Sequence, residues 1–443
     1  MGRRSGSVGV PAALVLSLAG AATSVAASAG AMARPVSPIS DFAAFWRAGR
    51  WILEGRLGSL YPDMSFGDAG PGTFKGFLNP PHVAVLLSPF ARFSLGHAKV
   101  AFAVLNLLIT AGLLVSAWRL LTRQGHPIIA RVTALALLVA CPAVASSFVN
   151  GTLSLLVVAA TGMIVRADLV GRAARDASSV GAGRSAFRVS QEVLIATGLG
   201  LLSIKPQYAV LPTAFLLGRG RWRVVAGGTL VTGLLMFATV PSTGLAPWRE
   251  YLPFLGRYAD TMDVWDVRQT KNLWLPRQML NVRGVLFRLL GDGSVPFVNA
   301  MSVVVLLSGI AAAIVLGRAV RSGNIPAARA WAAVLVLAIL TSQHANLSDG
   351  VLVLLALLLA SRSTGWLMAL AAFDLALLFG NPSNATPAAP WSGFAIAVLA
   401  AWVLLTGRRG GEGVRKVSWR PHRSVVSVGA LQRRTAGVDG QDR

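Results

Sequence analysis

Long apolar runs alternate with short polar segments along almost the whole chain, and many of these segments contain arginine. Several runs are long enough to cross a hydrocarbon core about 30 Å thick as an α-helix, the element that satisfies its own backbone in lipid. The pattern predicts an all-α polytopic membrane protein with about 11–13 membrane helices, some of them short or re-entrant. Beyond residue 95 the predicted spans are Ala98–Trp118, Ile128–Phe148, Leu153–Val165, Val193–Leu217, Val224–Val240, Phe297–Leu316, Ala330–Ser342, Leu347–Ala360, Trp366–Phe379 and Trp391–Leu405.

Three segments interrupt this regular pattern. Val83–Phe93 is apolar but too short for a full span, so a short or re-entrant helix is predicted there. Lys205 and Pro206 fall inside an apolar run, which predicts a broken helix or a pair of short ones. Arg166–Arg188 is rich in glycine, alanine, serine and arginine and is predicted to form a flexible cytoplasmic loop.

The first 33 residues carry two signals. Arg3-Arg4 precedes an apolar run that ends in Ala31-Met32-Ala33, the pattern of a cleaved signal peptide. The run is long for a signal sequence and suits a membrane span, so we expect an uncleaved first helix. With either outcome, the segment that follows lies outside the cytoplasm.

Two long polar segments, 34–81 and 241–296, are predicted to be extracytoplasmic loops. The shorter loops carry most of the basic residues, as the positive-inside rule requires of cytoplasmic loops. We expect residues 1–407 to form one integral membrane domain, and the basic tail 408–443 to be cytoplasmic and disordered. This topology places Asp41, Asn79, Lys205 and His344 at the external face.

Composition agrees with a membrane protein. Of 443 residues 54% are hydrophobic and 13% are charged, whereas soluble domains carry about 25% charged residues. The net charge of +24 follows the loop topology, so no nucleic-acid partner is expected. The single cysteine, Cys141, excludes a disulfide framework. No metal-ligand spacing, Walker loop or dinucleotide glycine pattern is found, so neither a metal nor a cofactor is expected.

Asp41 is the first candidate for chemistry. It opens the first external loop next to Phe42 and Trp46, and a carboxylate at a membrane face can act as a general base. The competing interpretation is an ordinary loop acid or a helix N-cap, because Ser40-Asp41 precedes a plausible helix Phe42–Glu54.

The other candidates are scattered polar residues in apolar surroundings. Lys205 either binds an anion or snorkels to an interface. His344 follows Gln343 in a polar segment between two runs, where it either contacts a phosphate or is a simple loop residue, with Asp349 as a possible partner. Asp374 has no assigned role. Arg268 and Lys271 belong to a basic cluster that meets either a lipid phosphate or anionic headgroups.

Several short motifs, taken in order, resemble glycosyltransferase family 87 over about Asp41 to Trp402. They are Asp41-Phe42-x-x-Phe45-Trp46-x-Ala48-Gly49-Arg50, Leu60-Tyr61, Asn79-Pro80-Pro81, Leu87-Ser88-Pro89-Phe90, Asn150-Gly151, Lys205-Pro206-Gln207 and Ser342-Gln343-His344. The family includes polyprenyl-phosphate-mannose-dependent α-mannosyltransferases with the C-type glycosyltransferase membrane fold. In two places the chain departs from the family pattern: Asn79 replaces a tyrosine, and Thr152 replaces a frequent glutamine.

The resemblance implies a first-loop aspartate, here Asp41, as catalytic base. It implies a polyprenyl-phosphate sugar as donor and a lipid or glycan as acceptor, in a bacterial-type cytoplasmic membrane with the site facing outward. Mannose is the expected hexose, and inversion is expected because the acceptor attacks opposite the leaving phosphate. Lys205, His344, Gln343 and Asn79, with Arg268 and Lys271, are expected near the donor phosphate or substrate.

Two other functions remain open from the sequence. A transporter or flippase of lipid-linked sugars would show internal repeats and midplane charges, and no clear repeat is visible. A polysaccharide polymerase or ligase would use arginines and histidines in a large outer loop, but 241–296 contains no histidine.

Overall fold

The computed structural model describes residues 9–34, 36, 40–61, 77–177, 183–256, 279–290, 295–362 and 365–379. Every regular element within these ranges is a helix, as the sequence predicts. We number the α-helices in chain order. They are α1 (Gly9–Ala33), α2 (Asp41–Leu53), α3 (Pro81–Leu87), α4 (Leu95–Arg123), α5 (Ile128–Ala140), α6 (Pro142–Asn150), α7 (Ser154–Ala177), α8 (Gly183–Leu201), α9 (Val210–Gly218), α10 (Trp222–Thr243), α11 (246–256), α12 (Val282–Leu290), α13 (Val295–Arg321), α14 (Ala327–Thr341), α15 (Val351–Leu359) and α16 (Trp366–Phe379).

Among the described residues, four helices are long and apolar enough to cross a membrane: α4, the first part of α7, α10 and α13. Helices α5 and α6 pass the same test only as a bent pair. The shorter apolar stretches are Val189–Ile204, Ala327–Thr341, Leu347–Leu359 and Trp366–Leu378. The chain is therefore an all-α, multi-pass membrane protein. The predicted span Trp391–Leu405 and the tail 408–443 lie outside the described residues.

The predicted span Ile128–Phe148 is not one continuous helix, because the structure divides it at Cys141 into α5 and α6, a bent pair that together is long and apolar enough for one span. Pro142 has no backbone N–H, and its ring would collide with the carbonyl one turn earlier. Proline is tolerated at the first position of a helix, and Pro142 begins α6 there. The axes of the two helices differ by 40°.

The prediction of a flexible loop over Arg166–Arg188 is wrong for most of that segment, which is helical. Helix α7 continues to Ala177, and α8 begins at Gly183, with 178–182 outside the described residues. Alanine, arginine and leucine are good helix formers. Both helices therefore continue into this polar segment, past the ends of their apolar runs. Asp168 lies within it and is only 1% exposed.

The two long polar segments also contain helices. The first includes α2, and the second includes α11 and α12, with 257–278 outside the described residues. The short helix predicted over Val83–Phe93 is α3 followed by a 3-10 turn at Phe90–Arg92, too short together to span. Lys205 lies at the predicted break, between 3-10 turns at Leu202–Ile204 and Pro206–Tyr208.

Two groups of buried side chains organise the fold. The larger group joins α7, α9, α14, α15 and α16, and at its centre Trp331 contacts Phe215 edge-on with ring centroids 4.6 Å apart. The smaller group joins α2 and α3 to the residues next to the break at Lys205. Its buried members are Phe42, Phe45, Ala48, Leu60, Tyr61, Phe77, Val83, Ala84, Leu87, Ala98, Phe102, Leu153, Ile204 and Phe254. This smaller group holds parts of the two long polar segments against the helix bundle.

Candidate active site

Lys205 lies at the break between α8 and α9. Pro206 disfavours a helical conformation for the residue before it, and Lys205 has φ −133° and ψ 80°. Its Nζ lies 2.6 Å from Asp349 Oδ1 and 3.1 Å from Ser154 Oγ. The broken helix therefore directs an ammonium group at the beginning of α7 and the 3-10 turn that precedes α15.

Asp349 is held firmly in this cluster. Its Oδ1 also accepts a hydrogen bond from Ser154 Oγ at 2.6 Å, and its Oδ2 accepts one from the backbone N–H of Asn346 at 3.0 Å. The side chain of Asp349 is 1% exposed and that of Lys205 is 12% exposed. The carboxylate is thus buried, while part of the Lys205 side chain remains exposed. The sequence analysis paired Asp349 with His344; the structure pairs its carboxylate with Lys205 and Ser154.

Asp41 is the first residue of α2. Ser40 is the N-cap, and its hydroxyl accepts a hydrogen bond from the backbone N–H of Ala43 at 3.3 Å. The side chain of Asp41 is half-buried, whereas its neighbours Phe42 and Phe45 are buried. The cap is therefore supplied by Ser40, and the Asp41 carboxylate is not needed for it.

The turn at Gly151 connects Asp41 with the Lys205 cluster. Gly151 has φ +62°, and a Cβ placed on it would come within 2.4 Å of Phe42 Cβ. Only glycine fits such a contact in this conformation. Ser154, three residues after Gly151, touches both members of the Lys205–Asp349 pair. The beginning of α2 and the ion pair therefore both contact the segment 151–154.

Tyr61 closes the first loop over α3. Its hydroxyl donates a 2.6 Å hydrogen bond to the carbonyl of Asn79, immediately before Pro80-Pro81. Its ring packs on Phe254 and Tyr251 from the second loop, at centroid distances of 4.9 and 5.4 Å. Burial raises the pKa of Tyr61, so the hydroxyl stays protonated and remains a donor. Asn79, a predicted site residue, is therefore fixed through its backbone.

His82 joins the loops to the segment that carries Lys205. Its ring stacks on Trp248 with centroids 5.8 Å apart and an interplanar angle of 2°. Its Nε2 lies 3.1 Å from Ser203 Oγ, two residues before Lys205. Burial lowers the pKa of His82 to about 4, so the ring is neutral near pH 7. The sequence analysis assigned no role to His82 or Trp248.

The segment 342–346 is anchored mainly through its backbone. The carbonyl of His344 accepts hydrogen bonds from Ser342 Oγ at 2.7 Å, Tyr208 Oη at 3.4 Å and Gln207 Nε2 at 3.5 Å. Gln343 Nε2 donates to the carbonyl of Ser302 on α13 at 3.4 Å. His344 is thus next to the residues that follow Lys205, and the Gln343 side chain is directed at α13.

Asn281 was missed by the sequence analysis although it carries a recognisable signal. Its Nδ2 donates a 2.6 Å hydrogen bond to the carbonyl of Ser342, and its Oδ1 accepts one from Gly284 N at 2.8 Å. An asparagine directly before a helix is a common N-cap, which the run Asn281-Val282-Arg283-Gly284 suggests. The end of the second loop is thereby fastened beside His344.

The structure brings together the segments of four predicted site residues, Asp41, Asn79, Lys205 and His344. Arg268 and Lys271 lie outside the described residues. Asp374 is buried on α16 next to Cys141 at the α5–α6 bend, and it makes no hydrogen bond to these site residues. Within the ranges that the structure covers, no three histidine, cysteine or acidic side chains are grouped as metal ligands.

Comparison with known proteins gives one match. The model of glycosyltransferase family 87 matches residues 77–342, which is more than half of the chain. The match includes Asn79 and Lys205, whereas Asp41 lies well before its start and His344 just after its end. No curated protein and no solved structure matches the chain. Its helical, multi-pass architecture agrees with the family match, and the chain belongs to glycosyltransferase family 87 as a membrane glycosyltransferase.

Proposed function

We propose that the protein transfers a hexose, mannose in the first instance, from a polyprenyl-phosphate sugar to a lipid or glycan acceptor. Transfer takes place at the extracytoplasmic face of a bacterial-type cytoplasmic membrane. Asp41 removes the proton from an acceptor hydroxyl as that oxygen attacks the anomeric carbon. The bond from this carbon to the phosphate oxygen breaks on the opposite side, and the configuration is inverted.

The observation that carries this proposal is the contact chain from α2 to the Lys205 cluster. Phe42 lies against Gly151, and Ser154 after that turn binds both Lys205 and Asp349. The helix that begins at Asp41 is thus connected through this turn to the ion pair that contains Lys205, which supports a role for both residues in one site. An inverting transfer needs a base on the acceptor side and positive charge on the leaving-group side.

The ammonium of Lys205 has one more hydrogen-bond donor than its two protein acceptors use, and we assign that donor to a phosphate oxygen. It carries three N–H donors, of which Asp349 and Ser154 accept two. The third donor is available to a phosphate oxygen, in a position fixed before substrate binds. Preorganised donors of this kind stabilise charge that develops on a leaving group. In the proposal, His344, Gln343 and Asn79, with Arg268 and Lys271, complete the donor side.

A lipid-linked donor suits the location of the site. The chain has no nucleotide-binding motif, and the residues involved lie at the ends of membrane helices. The donor must therefore be activated and already in the membrane. Membership of a glycosyltransferase family favours this chemistry over the transport of lipid-linked sugars.

The test uses purified protein in lipid nanodiscs with radiolabelled polyprenyl-phosphate mannose and a membrane lipid extract. We expect label in a new glycolipid with the native protein and none with Asp41→Asn. Glu54→Gln, an exposed acid at the other end of α2, is the matched control and should retain transfer. Transfer by Asp41→Asn at the native rate would exclude Asp41 as the base. Transfer from another polyprenyl-phosphate sugar only would replace mannose and keep the mechanism.

A further inference from the structure

A groove runs between α9 and α13, away from the Lys205 cluster. It has a volume of about 410 Å³ and is lined by Ala209, Val210, Thr213, Ala214, Leu217, Ile310 and Ile314. At one end the two helices touch, because a Cβ on Gly218 would come within 2.3 Å of the Ile314 carbonyl oxygen. Leu217 at this end is 48% exposed. The groove is therefore apolar and open toward the side on which lipid would lie.

Arginines surround the same end of the groove. The Arg321 guanidinium lies on Gly220, where an added Cβ would be 3.0 Å from its Nη1. Arg219 and Arg221, on either side of Gly220, form ion pairs with Asp168. Among the described residues Arg321 forms no ion pair, and it is exposed. Within the part of the chain that the structure describes, this end therefore has a guanidinium without an ion-pair partner.

The geometry of α13 matches the depth of one lipid leaflet. Ile314 and Ile310 precede Arg321 on the same face of the helix, about 11 and 17 Å away at 1.5 Å per residue. One leaflet contributes about 15 Å of hydrocarbon. Trp222, next to Arg221, is 61% exposed, as expected for an aromatic side chain at a membrane interface. A phosphate at Arg321 would thus have its acyl chain beside Ile314 and Ile310.

We propose that this groove binds an anionic phospholipid from the leaflet at the arginine-rich end of the bundle. One acyl chain lies between α9 and α13, and the headgroup phosphate accepts hydrogen bonds from Arg321. A guanidinium forms paired, charge-assisted hydrogen bonds with phosphate, and this one is already positioned by Gly220. The site is separate from glycosyl transfer and stands whether or not the transfer proposal holds.

The test counts lipids on the purified protein by native mass spectrometry, after exposure to equal amounts of phosphatidylglycerol and phosphatidylcholine with identical chains. We expect one retained lipid with a preference for phosphatidylglycerol. Arg321→Gln should lower that preference about fivefold, the factor for one interfacial basic residue. Arg119→Gln, an exposed arginine at the end of α4, is the control and should leave it unchanged.

A steric variant separates the groove from the charge. Thr213→Phe fills the groove and should abolish retention of both lipids at this site. If that variant does not fold, diazirine-labelled phosphatidylglycerol on the native protein gives the same information, since crosslinks should fall on α9 and α13. The proposal is overturned by equal effects of Arg321→Gln and Arg119→Gln, by crosslinks elsewhere, or by displacement of the lipid by an equal concentration of polyprenyl phosphate.

Discussion

Helix α7 contacts two ion pairs, Lys205–Asp349 at its beginning and Asp168–Arg219 further along, and the two pairs differ in how exposed they are. At its beginning, Ser154 contacts Lys205 and Asp349. Fourteen residues later, about 21 Å along the axis, Asp168 binds Arg219. There the Trp331 indole donates a 2.8 Å hydrogen bond to Asp168, and the side-chain exposure is 0% for the acid and 6% for the arginine.

This difference separates a structural pair from a candidate chemical one. Arg219 is enclosed by Asp168 and the Phe215 ring, 5.7 Å from its guanidinium carbon. Lys205 has a more compact charge on a flexible stem, is twice as exposed, and faces the loop segments. The closed pair fixes helices to one another, whereas the more exposed pair is the one to which our proposal assigns contact with a substrate phosphate.

The largest effect is expected from Asp168→Asn at the closed end. Asparagine still accepts the hydrogen bond from Trp331 but leaves the Arg219 charge without its carboxylate. Breaking a buried pair from one side costs about 3–5 kcal/mol. Thermal unfolding in detergent should show this loss, with transfer per folded molecule unchanged. Asp168→Asn combined with Arg219→Met keeps the acceptor for Trp331 and should recover much of it, and a lack of recovery would contradict the ion-pair account.

Lys205→Gln should produce the next largest effect, on catalysis. Glutamine keeps a donor for Asp349 and loses the positive charge, so we expect kcat to fall about 10²–10³-fold, as for loss of one preorganised donor. Initial rates at saturating donor check this. A rise in KM with unchanged kcat would instead give Lys205 a role in binding only.

Variants of His82 test whether the Lys205–Asp349 pair depends on the contact between His82 and Ser203. Glutamine can place its amide where Nε2 lies and keep the bond to Ser203, whereas asparagine places its amide at the Nδ1 position. We expect His82→Gln to retain transfer and His82→Asn to lower it about tenfold, the value of one hydrogen bond. Equal rates for both variants would show that Lys205 does not need this support.

The smallest effect is expected from Tyr61→Phe, which removes the hydroxyl bonded to Asn79. The ring contacts stay, so the free energy of unfolding should fall by about 1 kcal/mol. Tyr251→Phe is the matched control, because its hydroxyl lies 3.5 Å from the Leu78 carbonyl and makes a weaker bond. A larger loss from Tyr251→Phe would reverse the assigned importance of the two tyrosines.

The sequence predicts single residues better than pairs. Lys205 is recognisable because a lysine followed by proline is unusual in an apolar run. Its partner Asp349 lies 144 residues away, and nothing in the local pattern around either residue indicates the contact. His82 and Ser203 are likewise separated by 121 residues. Long-range pairing depends on how the helices pack, which periodicity does not encode.

The helical fold was predicted where apolar length determines it and missed where packing does. Four long spans follow from hydropathy alone. Asp168 was overlooked because its arginine-rich surroundings resemble a loop, although the burial of its charge on Arg219 allows α7 to continue. The break at Cys141 had a signal in Pro142, but an apolar run on both sides concealed it.

Because Gly151 has no side chain, it determines how closely α2 approaches the turn after α6. Because Phe42 of α2 rests directly on the backbone of that turn, no side chain separates α2 from the segment that leads to Ser154. A methyl group at Gly151 would push α2 away from that segment. In the proposed mechanism the acceptor and the donor would then bind too far apart for transfer, although every functional group would still be present.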